Sequence, residues 1–536
     1  MNDERPAPRR QLRPRRALTA CAFLGVLASS LAAFGPQTTA QADERPTAVV
    51  HMGDSYASGE GGRWAGNTSE PDEPGNHNFR GTDLGKYRDS AGKWRTDKNR
   101  VYTADSIDNR CHRSDKSAIA STPGIGVDAR INLACSGANA KNVWRGSNGG
   151  EGTRGEAPQA DQLAAVAKSH DVKAVYLGIG GNDAGFAKIA YICIRGYLTT
   201  PPGLENRCRA NIRKEFEPRF EEVRKQVVKS LKEIRAVMSE AGKDPSEYRL
   251  YLTGYPNVFP DARNVAYKEH GPGRAYAGHC PLWDEDFDYM EKGFVPRLNA
   301  SMRLAAHQVP GVAFLDTRDA FDGHGVCDKR TVRGVTGDPA GHPEKAEWGR
   351  FLDYDHRFLD ILTIHGQGDG GQESLHPNAY GQQALGNCLE RAYRRGYATV
   401  KCSGGPGIAP TAMRMRADAT PQFHAPGAAA PIPGSSEDRP YSRSVKVAPG
   451  LDTPGGLGLV EVRLDHPRNT DLSIEVRLPS GKVLTLAKAG TLSVHTQVKR
   501  FTIPLEKEES GTYTLKVRDH TGGMNGSVAA WSLASF

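Results

Sequence analysis

No two cysteines of this 536-residue chain are spaced C-x-x-C, the spacing on which thiolate zinc sites are commonly built, so no metal site is expected. Beyond residue 42 no run reaches the ~20 consecutive apolar residues that a membrane span needs, and no transmembrane segment is expected there. Excess charge is also scarce. The formal net charge is +8, and the six arginines and two acids of residues 1–42 account for half of it. A protein that tracks phosphates gathers its cations into a dense patch or stripe, so nucleic acid is not expected as a partner.

What the N-terminus does have is a graded pattern. Six arginines between Arg5 and Arg16 precede an apolar stretch from about Ala17 to Phe34, then polar residues and Ala40-Gln41-Ala42. Charged, apolar and small-residue regions in that order predict a signal peptide over residues 1–42, cut after Ala42, and hence a secreted protein. Arg15-Arg16 leaves the general and twin-arginine export routes both open. Leu18-Thr19-Ala20-Cys21 mimics a lipoprotein box but lies before the apolar run instead of after it, which argues against a lipid anchor. The remaining length exceeds what one core usually supports, so two folded units are expected.

From Thr47 to about Gly396 short apolar runs alternate with longer amphipathic stretches. Strands are predicted at Thr47–Met52, Ile131–Ala134, Val172–Ile179, Arg249–Thr253 and Val312–Leu315. Helices are predicted at Ala160–Ser169, about Lys214–Gly242, Asp286–Gln308 and Pro377–Arg395. Such alternation implies a mostly parallel sheet with helices on both faces. Two long polar insertions, Gly59–Arg110 and Gly323–Gly371, interrupt it, and loops of that length are often functional.

Three segments carry chemistry. Gly53-Asp54-Ser55-Tyr56-Ala57-Ser58-Gly59-Glu60-Gly61 directly follows the first apolar run, which puts a serine hydroxyl at the carboxyl end of a sheet, where open α/β folds place ligands. Gly180-Gly181-Asn182-Asp183 follows another strand, and Glu373-Ser374-Leu375-His376-Pro377-Asn378 opens a helical pattern. Each is ordinary alone, since Gly, Asp and Ser are the usual residues of loops and Ser55 could simply cap a helix. Together they supply a nucleophile, an amide donor and an imidazole base, which ester hydrolysis requires.

On these motifs the chain resembles the SGNH (GDSL-type) serine hydrolases, in the subfamily of secreted actinobacterial esterases and lipases. The resemblance runs from about Thr47 to about Cys402 and is reinforced by Cys111-His112-Arg113-Ser114, Ala134-Cys135-Ser136-Gly137-Ala138, Thr253-Gly254-Tyr255-Pro256 and Gly323-His324-Gly325-Val326-Cys327. It implies a flavodoxin-like three-layer α/β/α sandwich with Ser55 as nucleophile, Ser58 being the lesser substitute, and His376 as base. It also implies an oxyanion hole from the backbone N–H of Ser55, the backbone N–H of Gly137 and the side-chain amide of Asn182. Most relatives carry Asp three residues before the histidine, where this chain has Glu373; whether Glu373 orients the imidazole by side chain or by backbone carbonyl stays open.

Of nine cysteines, Cys21 leaves with the signal, and an even set of eight in an exported chain argues for disulfides. Eight cysteines allow on the order of 100 pairings. Sequential pairing is expected, Cys111 with Cys135, Cys193 with Cys208, Cys280 with Cys327 and Cys388 with Cys402, and the resemblance encourages the first three.

Residues 403–440, rich in Ala, Pro and Gly, read as a linker between a catalytic domain at 43–402 and a C-terminal domain at 441–536. In the latter, Leu459–Leu464, Leu472–Leu478, Lys482–Leu486, Arg500–Ile503 and Gly511–Val517 alternate apolar and polar between turn residues, as a small antiparallel β-sandwich does. The tail resembles the P/Homo B domain of secreted serine proteases through Ile432-Pro433, the stretch 471–481, the stretch 511–519 and the closing stretch 526–533.

The expectation is therefore a secreted, monomeric serine ester hydrolase, an esterase or lipase with phospholipids among the open substrates. Neither resemblance calls for a cofactor in catalysis, although a structural Ca²⁺ on an acidic loop of the sandwich stays open. A catalytically degenerate surface- or carbohydrate-binding protein is the alternative, and a serine protease a lesser one, since Gly53-Asp54-Ser55-Tyr56 is no protease motif.

Overall fold

The computed structural model describes residues 45–536 apart from 68–70, 74–75, 80–82, 202, 333–341, 353–371, 397–398, 419–421, 435–439, 448–455, 495–496, 506–509 and 522–524. The signal-peptide expectation, with Cys21 and the cut after Ala42, lies outside the described residues, as do parts of both long insertions.

Strands β1 (Thr47–Gly53), β2 (Ala129–Asn132), β3 (Asp171–Gly178), β4 (Arg249–Thr253), β5 (Val312–Asp316), β6 (Val400–Ser403) and β7 (Arg414–Ala417) form one sheet. Their order is β7-β6-β5-β4-β3-β1-β2, parallel throughout except for the antiparallel β6–β7 pair. The first five strands run 2-1-3-4-5, the flavodoxin-like arrangement, whose strand order reverses between β1 and β3. Ala48, Val49, Val50 and Met52 of β1 have no exposed surface, as strands covered on both faces require. On one face the hydroxyls of Tyr176 and Tyr251 donate to the carbonyls of Leu389 and Ala392 in helix α1 (Ala379–Arg395). Helices α2 (Gln159–Ser169), α3 (Phe220–Glu240) and α4 (Val295–His307) form the opposite layer.

Several predicted borders shift for local reasons. The strand expected at Ile131–Ala134 ends at Asn132, whose side chain turns the chain by donating to the carbonyls of Ala57 and Ser58 while accepting from the Ala134 N–H. The long helix expected over about 214–242 is two, Arg209–Glu215 and α3, split by a 3₁₀ turn at Glu217–Arg219 that contains Pro218. The 286–308 helix opens as Asp284–Tyr289, widens into a π turn at Met290–Phe294 and continues as α4. Helix α1 starts at Ala379 and not at Pro377, because Asn378 is its N-cap, its side chain accepting from the N–H groups of Tyr380 and Gly381.

The C-terminal region is all antiparallel. One sheet joins Gln422–His424, Gly526–Ser535, Leu457–Asp465 and Val498–Pro504, with Ala430–Ile432 beside Gly526–Ser535; the other joins Tyr441–Val447, Gly511–Asp519, Leu472–Arg477 and Val483–Ala487. Alternate residues such as Val460, Val462, Ile474, Val476, Leu515 and Val517 are buried between the sheets, around Trp531. The stretch expected as a linker, 403–440, holds short strands among its described residues. Arg414–Ala417 is an edge strand of the parallel sheet, and Gln422–His424 and Ala430–Ile432 pair into the sandwich. Short edge strands bury little and tolerate a proline such as Pro431, so composition alone hides them. The two parts also share an apolar contact of their own, in which Ala300 and Leu304 of α4 meet Leu459, Ala534 and Phe536.

Candidate active site

The site grows out of the end of β1. Gly53 has φ +138°, and a Cβ on it would lie 1.9 Å from the Gly178 carbonyl oxygen on β3, so no other residue fits. The side chain of Gln159 brackets the same peptide unit, accepting from the Gly53 N–H and donating to its carbonyl, both at 2.8 Å. Asp54 then caps the one-turn helix Ser55–Ser58, its Oδ1 accepting from the Tyr56 N–H at 3.1 Å. Its Oδ2 accepts from the Tyr255 hydroxyl at 2.5 Å, and that hydroxyl in turn accepts from the Gly181 N–H at 2.9 Å. Burial pushes the Asp54 carboxyl up to about 7, against the pull of the Tyr255 and Tyr56 hydrogen bonds.

Ser55 Oγ lies 2.7 Å from Nε2 of His376. Burial lowers the imidazole below the ordinary histidine value, with the Glu60 carboxylate pulling the other way. The ring therefore stands ready, neutral at pH 7, to accept a proton.

His376 Nδ1 faces the backbone carbonyl of Ser374 at 3.0 Å. Glu373, expected as the orienting residue by side chain or by backbone, acts on the ring through its backbone, beside the Ser374 carbonyl, while its side chain turns away. Its fully buried carboxylate accepts from the Tyr102 hydroxyl at 2.6 Å and the Trp64 Nε1–H at 2.7 Å, and pairs with Arg63 at 3.8 Å. The cause is local: Leu375 adopts φ +62°, and this tight turn aims the carbonyl of Ser374 at the imidazole while Glu373 points into the interior. A carbonyl can fix the tautomer but brings no counter-charge. The buried carboxylate whose charge acts on His376 is Glu60, which bonds to His112 Nδ1 at 2.8 Å and to Gln372 Nε2 at 3.0 Å. Burial alone would raise Glu60, but the His112 hydrogen bond holds it below the usual carboxylate range.

The donors converge from the loops that follow β1, β2 and β3. Asn182 Nδ2 uses one hydrogen on the Ala138 carbonyl at 2.8 Å, and an amide nitrogen carries two. The Asp183 carboxylate accepts from the Ala140 N–H at 3.0 Å and so ties the 134–140 loop to this turn. Gly137 sits in that loop with φ +85°. Among the described residues the N–H groups of Ser55 and Gly137 have no acceptor within the protein. Ser55, Gly137, Asn182 and His376 all line one cavity of about 390 Å³. Phe186, Ala190, Ile194, Val295 and Leu298 give it an apolar wall, the kind of surface that an acyl chain fills.

The structure joins Cys111 to Cys135, Cys193 to Cys208, Cys280 to Cys327 and Cys388 to Cys402. The first ties Arg110 and His112 to the Ser136-Gly137 turn. Among the described residues the one cluster of metal-ligand type is Cys193, Cys208 and Asp286, and its two sulfurs are spent in a disulfide.

A serine hydroxyl bonded to an imidazole, with amide donors lining the same cavity, is an arrangement that can carry acyl transfer. Residues 49–389 match the GDSL-like lipase/acylhydrolase family, and residues 459–535 match the proprotein convertase P-domain. The first match spans more than half of the chain, and the protein belongs to that family; it is a carboxylic ester hydrolase. The protease and binding-protein alternatives fall with this assignment. Solved structures similar to it include an extracellular lipase from Streptomyces rimosus, at 21% identity over 65% of this chain and 99% of that one with a TM-score of 0.35. A phospholipase A1 from Streptomyces albidoflavus NA297 is similar at 22% over 66% and 100%, TM-score 0.34. An aryl esterase of M. smegmatis is similar at 12% over 65% and 99%, TM-score 0.27. No curated protein matches the chain.

Proposed function

We propose that the protein is a secreted ester hydrolase that works through a Ser55–His376 dyad, with the Ser374 carbonyl in place of a triad carboxylate. The 2.7 Å contact between Ser55 Oγ and His376 Nε2 in the cavity lining carries this reading. His376 takes the Ser55 proton as Oγ attacks the ester carbonyl. The oxyanion that forms accepts from the Ser55 and Gly137 N–H groups and from the second hydrogen of Asn182 Nδ2. His376 then returns its proton to the leaving alcohol, and water repeats the sequence on the acyl-enzyme.

Export with loss of residues 1–42 belongs to the same proposal and is supported by the four disulfides, which persist in oxidising compartments. The catalytic part spans 43–402 and the sandwich 441–536, with 403–440 paired into both. The apolar contact of the sandwich with α4, whose Val295 and Leu298 reach the cavity, favours a supporting role for the C-terminal part. Inactivation by diethyl p-nitrophenyl phosphate, followed by peptide mass spectrometry, tests the dyad. The phosphoryl adduct is expected on the Ser55 peptide and absent in His376→Ala; an adduct on Ser58 or elsewhere overturns the assignment.

A further inference from the structure

The cavity has two unlike kinds of lining. Beside the apolar residues, Arg110, Arg154, Ser136 and Gln372 also line it. Both arginines are exposed residues, and among the described residues neither has a carboxylate partner. Among the described residues the one hydrogen bond of the Arg154 side chain runs from Nε to the Ser136 carbonyl at 2.8 Å and uses neither terminal nitrogen. That bond lays the guanidinium over the oxyanion turn, where a Cβ on Gly137 would come within 3.3 Å of Arg154 Nη2. The two cations also sense each other: burial and the charge of Arg110 lower the Arg154 guanidinium while Glu60 raises it.

Each arginine is held there at a cost. Arg110 has φ +60° and Arg154 φ +52°, left-handed backbone that glycine or asparagine adopts more easily. Arg154 and Gly155 form the tip of a two-residue turn closed by the Thr153–Glu156 bridge, a place where Asn-Gly is the favoured pair. Arg110 is fixed by the adjacent Cys111–Cys135 disulfide. Side chains kept in disfavoured backbone conformations gather where a site demands them. Two neighbouring guanidinium groups that, among the described residues, form no ion pair make a fork for an oxyanion, with the Glu60 carboxylate acting on Arg154 only at longer range.

We propose that the cavity takes amphiphilic esters whose alcohol part carries an oxyanion, a phosphodiester or a carboxylate, bound between Arg110 and Arg154 while the acyl chain lies on the apolar wall. This rests on the Ser55–His376 reading, since the fork is placed relative to Ser55 and Gly137. It distinguishes the substrate from neutral acylglycerols, which offer the fork nothing.

The test uses two matched pairs of soluble short esters: dibutyroyl phosphatidylglycerol against dibutyroylglycerol, and the butyrate ester of glycolate against ethyl butyrate. For each pair the ratio of kcat/KM, anionic over neutral, is measured for the full-length protein, Arg110→Gln, Arg154→Gln and the double variant. Because both members are read on one preparation, any loss of folded enzyme cancels. The ratio is expected to fall about tenfold in each single variant and about a hundredfold in the double, in the phosphodiester pair, the carboxylate pair or both, and the responding pair identifies the group. A ratio unchanged in both pairs overturns the proposal. Failure of the underlying reading shows separately, as hydrolysis of the neutral esters that survives Ser55→Ala.

Discussion

Replacing Glu373 with Gln separates stability from catalysis. The buried carboxylate accepts two hydrogen bonds, from Tyr102 and Trp64, and pairs with Arg63. Glutamine keeps one acceptor oxygen but turns an NH₂ toward a second donor, and it removes the charge. Arg63 keeps a bidentate partner in Asp83, at 2.7 and 2.8 Å, so the ion-pair part of the loss is small. A hydrogen bond to a charged group is worth ~1.5–3 kcal/mol, and an unpaired buried polar group costs ~1–3 kcal/mol more. Glu373→Gln should therefore lower unfolding stability by about 2–4 kcal/mol in urea titrations at pH 7. The same variant should change kcat by less than ~3-fold, because His376 Nδ1 is held by the Ser374 carbonyl and not by this side chain. A carboxylate that did orient the ring would produce a loss of ~10⁴ in kcat, as triad carboxylates do. A large fall in kcat with unchanged stability would refute the reasoning.

Asn182→Ala removes one oxyanion donor and should cut kcat by ~10²- to 10³-fold at nearly constant KM; an unaltered kcat contradicts the role. Asp54 carries a folded-state value of about 7 against an ordinary 3.8, so the folded protein binds the proton more tightly than the unfolded chain. Its contribution is then full below pH ~4 and is lost as pH rises to ~7, by about 4 kcal/mol at ~1.4 kcal/mol per unit. In Asp54→Asn the change in stability between pH 4.5 and 7 should be smaller by most of that amount, and an identical pH dependence in both proteins refutes it. Because burial lowers His376, the acid limb of kcat/KM should have its midpoint below 6.5, and a midpoint above that value contradicts a buried neutral base.

The sequence exposes the parts of this molecule that depend on periodicity and on residue type. Strands β1, β3, β4 and β5 are continuous apolar runs, and Ser55, Asn182 and His376 stand at their ends or before a helix, so the grouping around one cavity was legible. Gly137 was legible through its motif alone. Ser374 left no mark, because a carbonyl belongs to every residue and only the φ of Leu375 aims this one. At Glu373 the choice between side chain and backbone was equally invisible, because only the turn that sends its side chain to Tyr102 and Trp64 separates the two. Gln159 and Tyr255 act on Gly53, Asp54 and Gly181 across the fold, and no local spacing records such contacts. Arg110 and Arg154 are ordinary loop arginines until the Cys111–Cys135 disulfide and a tight turn bring them to the cavity that Gly137 lines. The strands within 403–440 stayed hidden because edge strands need little apolar sequence.

The central claim is that Ser55 performs ester hydrolysis, and the initial rate of p-nitrophenyl butyrate hydrolysis by the purified protein beside Ser55→Ala tests it most directly. At equal concentration and matched circular dichroism, the account predicts a readily measured rate in the first and at least a thousandfold less in the second, in line with the ~10⁶-fold losses seen when serine nucleophiles are removed. Equal rates in the two proteins would contradict it.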